Sequence, residues 1–98
     1  MIFTIILSNR ARVVYEALGS DPSQKGRFKA VKKTLWFLSQ NPRHRSLETH
    51  ELVGMQGPNG EKVFEAYAQN ETPAAWRVFW YYGPGKAEIT IALIARHP

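Results

Sequence analysis

The chain has 98 residues, 44% of them hydrophobic, with three Trp, four Tyr and five Phe, which is material for one core and too little length for two domains. It has no Cys, which excludes a disulfide framework and a thiolate metal site and fits a reducing cytoplasm. The net charge of +5 is uneven, with nine Lys/Arg against three Asp/Glu in residues 1–50 and four against five in residues 51–98. That cationic first half favours a phosphate backbone or an acidic protein partner.

Residues 2–7 are rich in β-branched side chains and read as a strand. They are too short for a secretory h-region and lack a basic segment before them, and no apolar run approaches the ~20 residues of a membrane helix. A cytoplasmic protein without a membrane partner is therefore expected. Ser8 and Asn9 are both good N-caps, so the strand should deliver the chain into a helix over residues 10–18 that Gly19 ends. Asp21-Pro22 should open a second helix, with Pro at the first helical position, and Asn41-Pro42 should stop it at Gln40.

Within this second helix Gln24, Phe28, Val31, Leu35 and Leu38 project within roughly 80° of one another and form the core face. Lys25, Lys29, Lys32 and Lys33 lie opposite, with Trp36 among them. Packing of Trp36 on the first helix, with lysine stems around it, is the structural reading; a patch for a helical or nucleic-acid partner is the functional one.

Residues 41–61 show little periodicity and read as a tethered loop, with Leu47 and Leu52 as anchors before Gly54. Gly57-Pro58-Asn59-Gly60 is a turn cluster opening a strand over residues 62–69, and Asn70-Glu71-Thr72-Pro73 connects to the next. In residues 75–82 the alternation puts Trp76, Val78, Trp80 and Tyr82 on one face and Arg77, Phe79 and Tyr81 on the other. Gly83-Pro84-Gly85 closes a hairpin into residues 88–95, a strand covered on both sides. No internal repeat is present.

Few residues carry chemistry. No helix follows Gly83-Pro84-Gly85, so it is not a phosphate loop. His44 and His50 lack a third ligand at a metal-binding spacing, so no metal or cofactor is expected. Arg77, in a strand interior, either pairs with Glu65 on the neighbouring strand or grips a phosphate bidentately. His97 follows a buried strand that delivers it to the end of the sheet, where an imidazole can exchange protons near neutral pH.

The order and spacing of Asn41-Pro42-Arg43-His44, Ser46-Leu47, Leu52-Val53-Gly54, Trp76-Arg77-Val78-Phe79-Trp80 and Ile89-Thr90-Ile91-Ala92-Leu93, ending in His97, form a pattern over nearly the whole chain. It resembles the RelE/ParE superfamily of toxin-antitoxin toxins, more on the RNA-cleaving side (RelE, YoeB, HigB, YafQ) than the gyrase-poisoning ParE side. Arg77 and His97 match the family's phosphate-stabilising arginine and terminal catalytic histidine. The chain departs from the family at Arg45, where some relatives have a carboxylate, and at Pro98, where some have a catalytic Tyr; a loop Lys pair of other relatives has no counterpart. The general base is left without a residue.

The fold expected is α+β, a single domain over residues 1–98 in the order β-α-α-β-β-β. Two N-terminal helices pack on one face of a small antiparallel, partly mixed sheet, and the other face is concave. The resemblance implies a metal-independent mRNA endoribonuclease acting with the ribosome and held by a cognate antitoxin. Arg77 and His97 would be catalytic, Arg45 and Arg96 would contact phosphates, and Tyr81 would stack on a base. The alternatives are a gyrase-inhibiting toxin and a non-catalytic binding module of the same fold.

Overall fold

The computed structural model describes residues 1–69 and 75–96. The Asn70-Glu71-Thr72-Pro73 connection and His97 lie outside the described residues. Strand β1 (Thr4–Leu7) is followed by helices α1 (Asn9–Ser20) and α2 (Lys25–Gln40), then by β2 (His50–Gln56), β3 (Lys62–Tyr67), β4 (Trp76–Tyr82) and β5 (Glu88–Arg96). The sheet runs β1-β5-β4-β3-β2. β1 pairs parallel with β5, and every other pairing is antiparallel. The α+β architecture is as read from the sequence, with one strand more.

Ser8 is the α1 cap. Its Oγ accepts from the Ala11 amide at 3.1 Å and donates to the Ala92 carbonyl at 2.9 Å, so one hydroxyl satisfies an orphan helix donor and ties α1 to the sheet. Ala92 is available because β5 carries one extra residue there: Phe79 pairs with Leu93 but Trp80 with Ile91, a bulge that leaves a carbonyl without a ladder partner. Gly19 does not stop α1, which continues to Ser20. A Cβ on Gly19 would stand 2.9 Å from Phe28 Cζ, so this glycine admits the α2 ring rather than ending a helix. Asp21 caps a 3-10 turn over Pro22–Gln24 instead of α2 itself, accepting from the Ser23 amide and hydroxyl. Those bonds hold its carboxyl below the usual range.

The loop expected over residues 41–61 is corrected. It holds a 3-10 turn (Arg45–Leu47) and the edge strand β2. Residues 52–55 of β2 stand against the single residue Val63 of β3, between the Glu51–Phe64 and Gln56–Lys62 pairs. Gly54, at φ +96°, makes the left-handed step in that excursion. An interrupted ladder has no period of two to read, which is why the strand was not visible in the sequence.

The core lies between the helices and the sheet. Val31 and Leu38 of α2, Val78 and Trp80 of β4, and Ile89, Ile91 and Ile94 of β5 are buried together, with Phe28 and Leu35 half-buried against them. On the opposite face Val63, Phe79 and Tyr81 form a second cluster, onto which the β2 excursion lays Leu52 and Met55. Both faces of β4 are thus covered. Trp36 is not packed on α1: it is 58% exposed and meets Phe37 edge-on at 5.3 Å.

Leu38→Ala should cost about 2–5 kcal/mol, because its site is fully enclosed. Trp36→Ala should change stability by less than about 0.5 kcal/mol. Urea unfolding of both variants checks the pair, and a large loss at Trp36 would place that ring in the core.

Candidate active site

Strand register assembles the site. His50 stands opposite Glu65 across β2 and β3, Tyr67 opposite Arg77 and Glu65 opposite Phe79 across β3 and β4. All these side chains lie on the helix-free face, because residues two apart on a strand share a face. β3 is central to this arrangement, and its Glu65 is 1% exposed. A buried carboxylate must be hydrogen-bonded or paired, and here an imidazole and a guanidinium converge on it. His50 Nε2 is 2.7 Å from Oε1, and Arg77 Nε is 3.8 Å from Oε2.

Arg77 is buried and held by several groups, although its Nε makes no hydrogen bond among the described residues. Its guanidinium lies 3.7 Å over the Tyr67 ring, and Nη1 donates to the Gln69 carbonyl at 2.5 Å and the Trp76 carbonyl at 3.3 Å. It is 6% exposed, so the pairing with Glu65 read from the alternation is present, and Arg77 belongs to the packed interior rather than standing outside it. His50 is half-exposed by contrast. Its Nδ1 contacts the Glu48 carbonyl at 3.1 Å and its ring meets Tyr67 edge-on at 6.0 Å. Glu48 carries φ +47° and ψ +42°, a left-handed conformation that costs a non-glycine residue about 1–2 kcal/mol and turns its carbonyl toward the imidazole. The arrangement can hold a fixed cation, a buried anion and an accessible titratable ring within one face.

The other expected residues are dispersed. Tyr81 is on the same face but 9% exposed, packed with Val63 and Phe79, which leaves little ring for a base to stack on. Arg96 pairs with Trp76 and so projects to the helix side, opposite Arg77. Arg45 is exposed at the start of the 3-10 turn, and no contact joins it to Arg77 among the described residues. His44 accepts from the Ser46 amide and lies 4.3 Å from the Phe37 ring. No three His, Asp or Glu among the described residues gather where they could hold a metal.

His50 and Tyr67 are the site residues that sequence reasoning missed. The available signal was the position of Glu65: once β2 is recognised as a strand, an acidic residue pointing to the same face as Arg77 has to be met by a partner from the strand beyond. A separate cleft of about 230 Å³ lies between α2 and the end of β3, lined by Lys33, Thr34, Phe37, Leu47 and Tyr67 among others. With the exposed Trp36 and the α2 lysines it forms a cationic, partly aromatic surface. No helix among the described residues is long and apolar enough to cross a membrane.

Removing one partner from the buried Glu65–Arg77 pair should be costly. Glu65→Leu should lose about 3–5 kcal/mol, whereas the double change Glu65→Leu/Arg77→Met should lose less than the sum of its two single changes. Chemical denaturation of the four proteins checks the cycle, and an additive outcome would mean the two residues do not interact.

No sequence-family profile matches the chain, and no curated protein matches it in sequence. Its structure nevertheless has counterparts. It is similar to a chain of the archaeal RelE-RelB complex from Pyrococcus horikoshii OT3, at 16% identity over 98% of this chain and 96% of that one, with a TM-score of 0.66. It is similar to the YoeB/ParE toxin from Agrobacterium tumefaciens, at 8% identity over 98% and 100%, with a TM-score of 0.74. It is similar also to a chain of the intact E. coli RelBE toxin-antitoxin complex, at 16% identity over 100% and 99%, with a TM-score of 0.63. Over essentially its full length, this chain has the fold of the RelE/ParE toxin superfamily.

Proposed function

We propose that the chain is the toxin of a type II toxin-antitoxin pair, and that it is an endoribonuclease that cleaves mRNA with the ribosome. The observation that carries this reading is the end-to-end likeness to RelE and YoeB structures, joined to an arginine near the start of β4 with an imidazole on the same face. In this chemistry the 2′-OH attacks the adjacent phosphorus, and the enzyme stabilises added charge on the phosphorane and moves two protons. Arg77 supplies the positive charge, in a setting of low dielectric where it acts strongly. His97 acts as acid or base, and Arg45 is a phosphate contact. Arg96 and Tyr81 are weaker participants on account of their face and burial. No metal is required. The cognate antitoxin is a small protein that covers the α2 surface, whose lysines and exposed Trp36 suit an acidic, amphipathic segment; two of the similar structures are complexes with RelB.

One observation favours a second reading. The Arg77 guanidinium is already committed to Glu65, Tyr67 and Gln69, as befits a binding protein that inhibits without cutting RNA. The two readings separate at His97, which a binding protein can lose without consequence.

Induced expression should arrest growth, and co-expression of the antitoxin should relieve it. Arg77→Lys keeps the charge but not the planar fork, and His97→Ala removes the ring; each should lower RNA cleavage by about 10²-fold or more. Folding of both variants is checked by circular dichroism, because Arg77 is buried. Full cleavage by His97→Ala would remove it from the mechanism, and growth arrest without cleavage would favour the binding protein.

A further inference from the structure

Of the two strands at the sheet's edges, β2 is blunted. Its ladder to β3 is interrupted around Gly54, and it carries Glu51 beside Lys62, features that keep an edge from pairing with another chain. The other edge strand, β1, has no charge, proline or bulge in Thr4–Leu7. Its pairing with β5 fixes which backbone groups face outward. The Thr4 amide donates to the Ala87 carbonyl and the Ser8 amide to the Ile91 carbonyl, so in this parallel ladder the even residues turn their N–H and C=O groups toward β5 and the odd ones away from it. The Phe3 amide is met by the Ser39 carbonyl, whereas the amides of Ile5 and Leu7 have no partner among the described residues. An open groove of about 530 Å³ runs along this edge, lined by Ile5, Ile6 and Leu7 on one wall and by Arg12, Tyr15 and Glu16 of α1 on the other. Ile5 and Leu7 face the helix-side core yet stay only half-buried. Ile2, just before the strand, and Val13, next to Arg12, are 65% and 67% exposed.

We propose that this edge is the interface of a homodimer, in which antiparallel β1–β1 pairing joins two five-stranded sheets into one. Two β1 strands related by a two-fold axis at Ile6 set Ile5 opposite Leu7 of the second copy, so the outward amides and carbonyls of the two edges exchange four hydrogen bonds. The rim charges obey the same axis. Helix α1 reverses direction at Ser8, which places Arg12 toward the Leu7 end of the groove and Glu16 toward the Ile5 end. The rise from Arg12 to Glu16 is about 6 Å along a helix, close to the roughly 7 Å from Leu7 to Ile5 along a strand. The axis therefore passes midway between Arg12 and Glu16 and brings each toward its opposite charge on the second copy. A groove rimmed by one charge of each sign in this order complements itself, whereas a strand of uniform charge would meet repulsion at one end. The contact is at the small end of protein interfaces, so the dimer forms in a concentration-dependent way. It uses neither the α2 lysines nor the Arg77 face and stands apart from the nuclease reading.

Sedimentation velocity of the purified chain at rising concentration should show a shift from one chain to two. Ile6→Lys sets two like charges opposite each other at the axis and should stay monomeric, with an unchanged circular dichroism spectrum. Arg12→Glu and Glu16→Arg should each dimerise more weakly alone than when mixed in equal amounts, because only the mixed pair brings opposite charges together at both rims. The chain has no Cys, so a single introduced thiol reports the register. Ile6→Cys places two thiols at a close, non-hydrogen-bonded pair and should cross-link under mild oxidation. Thr4→Cys, on the same face but about 13 Å from its counterpart by strand rise, should not. A monomer at every concentration overturns the proposal. So does a dimer that Ile6→Lys leaves intact, or cross-linking of Thr4→Cys as readily as Ile6→Cys. If the chain is monomeric and Ile6→Lys instead releases a co-expressed antitoxin, the edge pairs with a strand of the antitoxin and the proposal equally falls.

Discussion

A carboxylate with 1% exposure, on the strand next to the sheet's edge, is the constraint around which the helix-free face is organised. Glu65 cannot be left there ionised and alone, so β2 must bring His50 opposite it and β4 must bring Arg77 beside it. The same strand supplies Tyr67, on which the guanidinium stacks. The register of β2 on β3 is therefore pinned at His50–Glu65, while a few residues later the two strands part company around Gly54. The His50–Glu65 contact and the packing of Leu52 and Met55 on the second cluster together hold an edge strand that is otherwise exposed.

β4 divides the molecule. Its Val78 and Trp80 face the helices and its Arg77, Phe79 and Tyr81 face the other way, so the strand that closes the main core also sets the site. The β5 bulge at Ala92 couples the two layers, because the carbonyl it exposes holds Ser8 and through it the start of α1. The candidate site on that face is thereby built on a strand whose residues are mostly buried, which suits a site that must keep a buried ion pair in place.

Much of this was legible in the sequence. The alternation Trp76–Tyr82 identified which residues share the Arg77 face, the Ser8 cap located α1, and Asn41-Pro42 located the end of α2. Pairing of Arg77 with Glu65 was one of the two readings open in the sequence, beside a phosphate grip, and it is present in the structure. What escaped was β2, because a strand with four residues against one carries no regular period. With β2 unread, His50 remained a loop histidine and the burial of Arg77 could not be foreseen. The placement of Trp36 escaped for another reason: a lone aromatic on a lysine face is compatible with packing or with exposure, and only the path of α1 decides between them. Arg96 stands one residue from Ala95, the partner of Arg77, and so belongs to the opposite face, a placement that alternation along β5 carries.

The account rests most on the claim that this face cuts RNA by transfer to its own 2′-hydroxyl. The measurement that tests it most directly is the chemistry of the ends left on RNA, free or on ribosomes, after incubation with the purified protein. The account predicts 2′,3′-cyclic phosphate or 3′-phosphate ends facing 5′-hydroxyls. Intact RNA, free and on ribosomes alike, or fragments with 5′-phosphate ends, would contradict it.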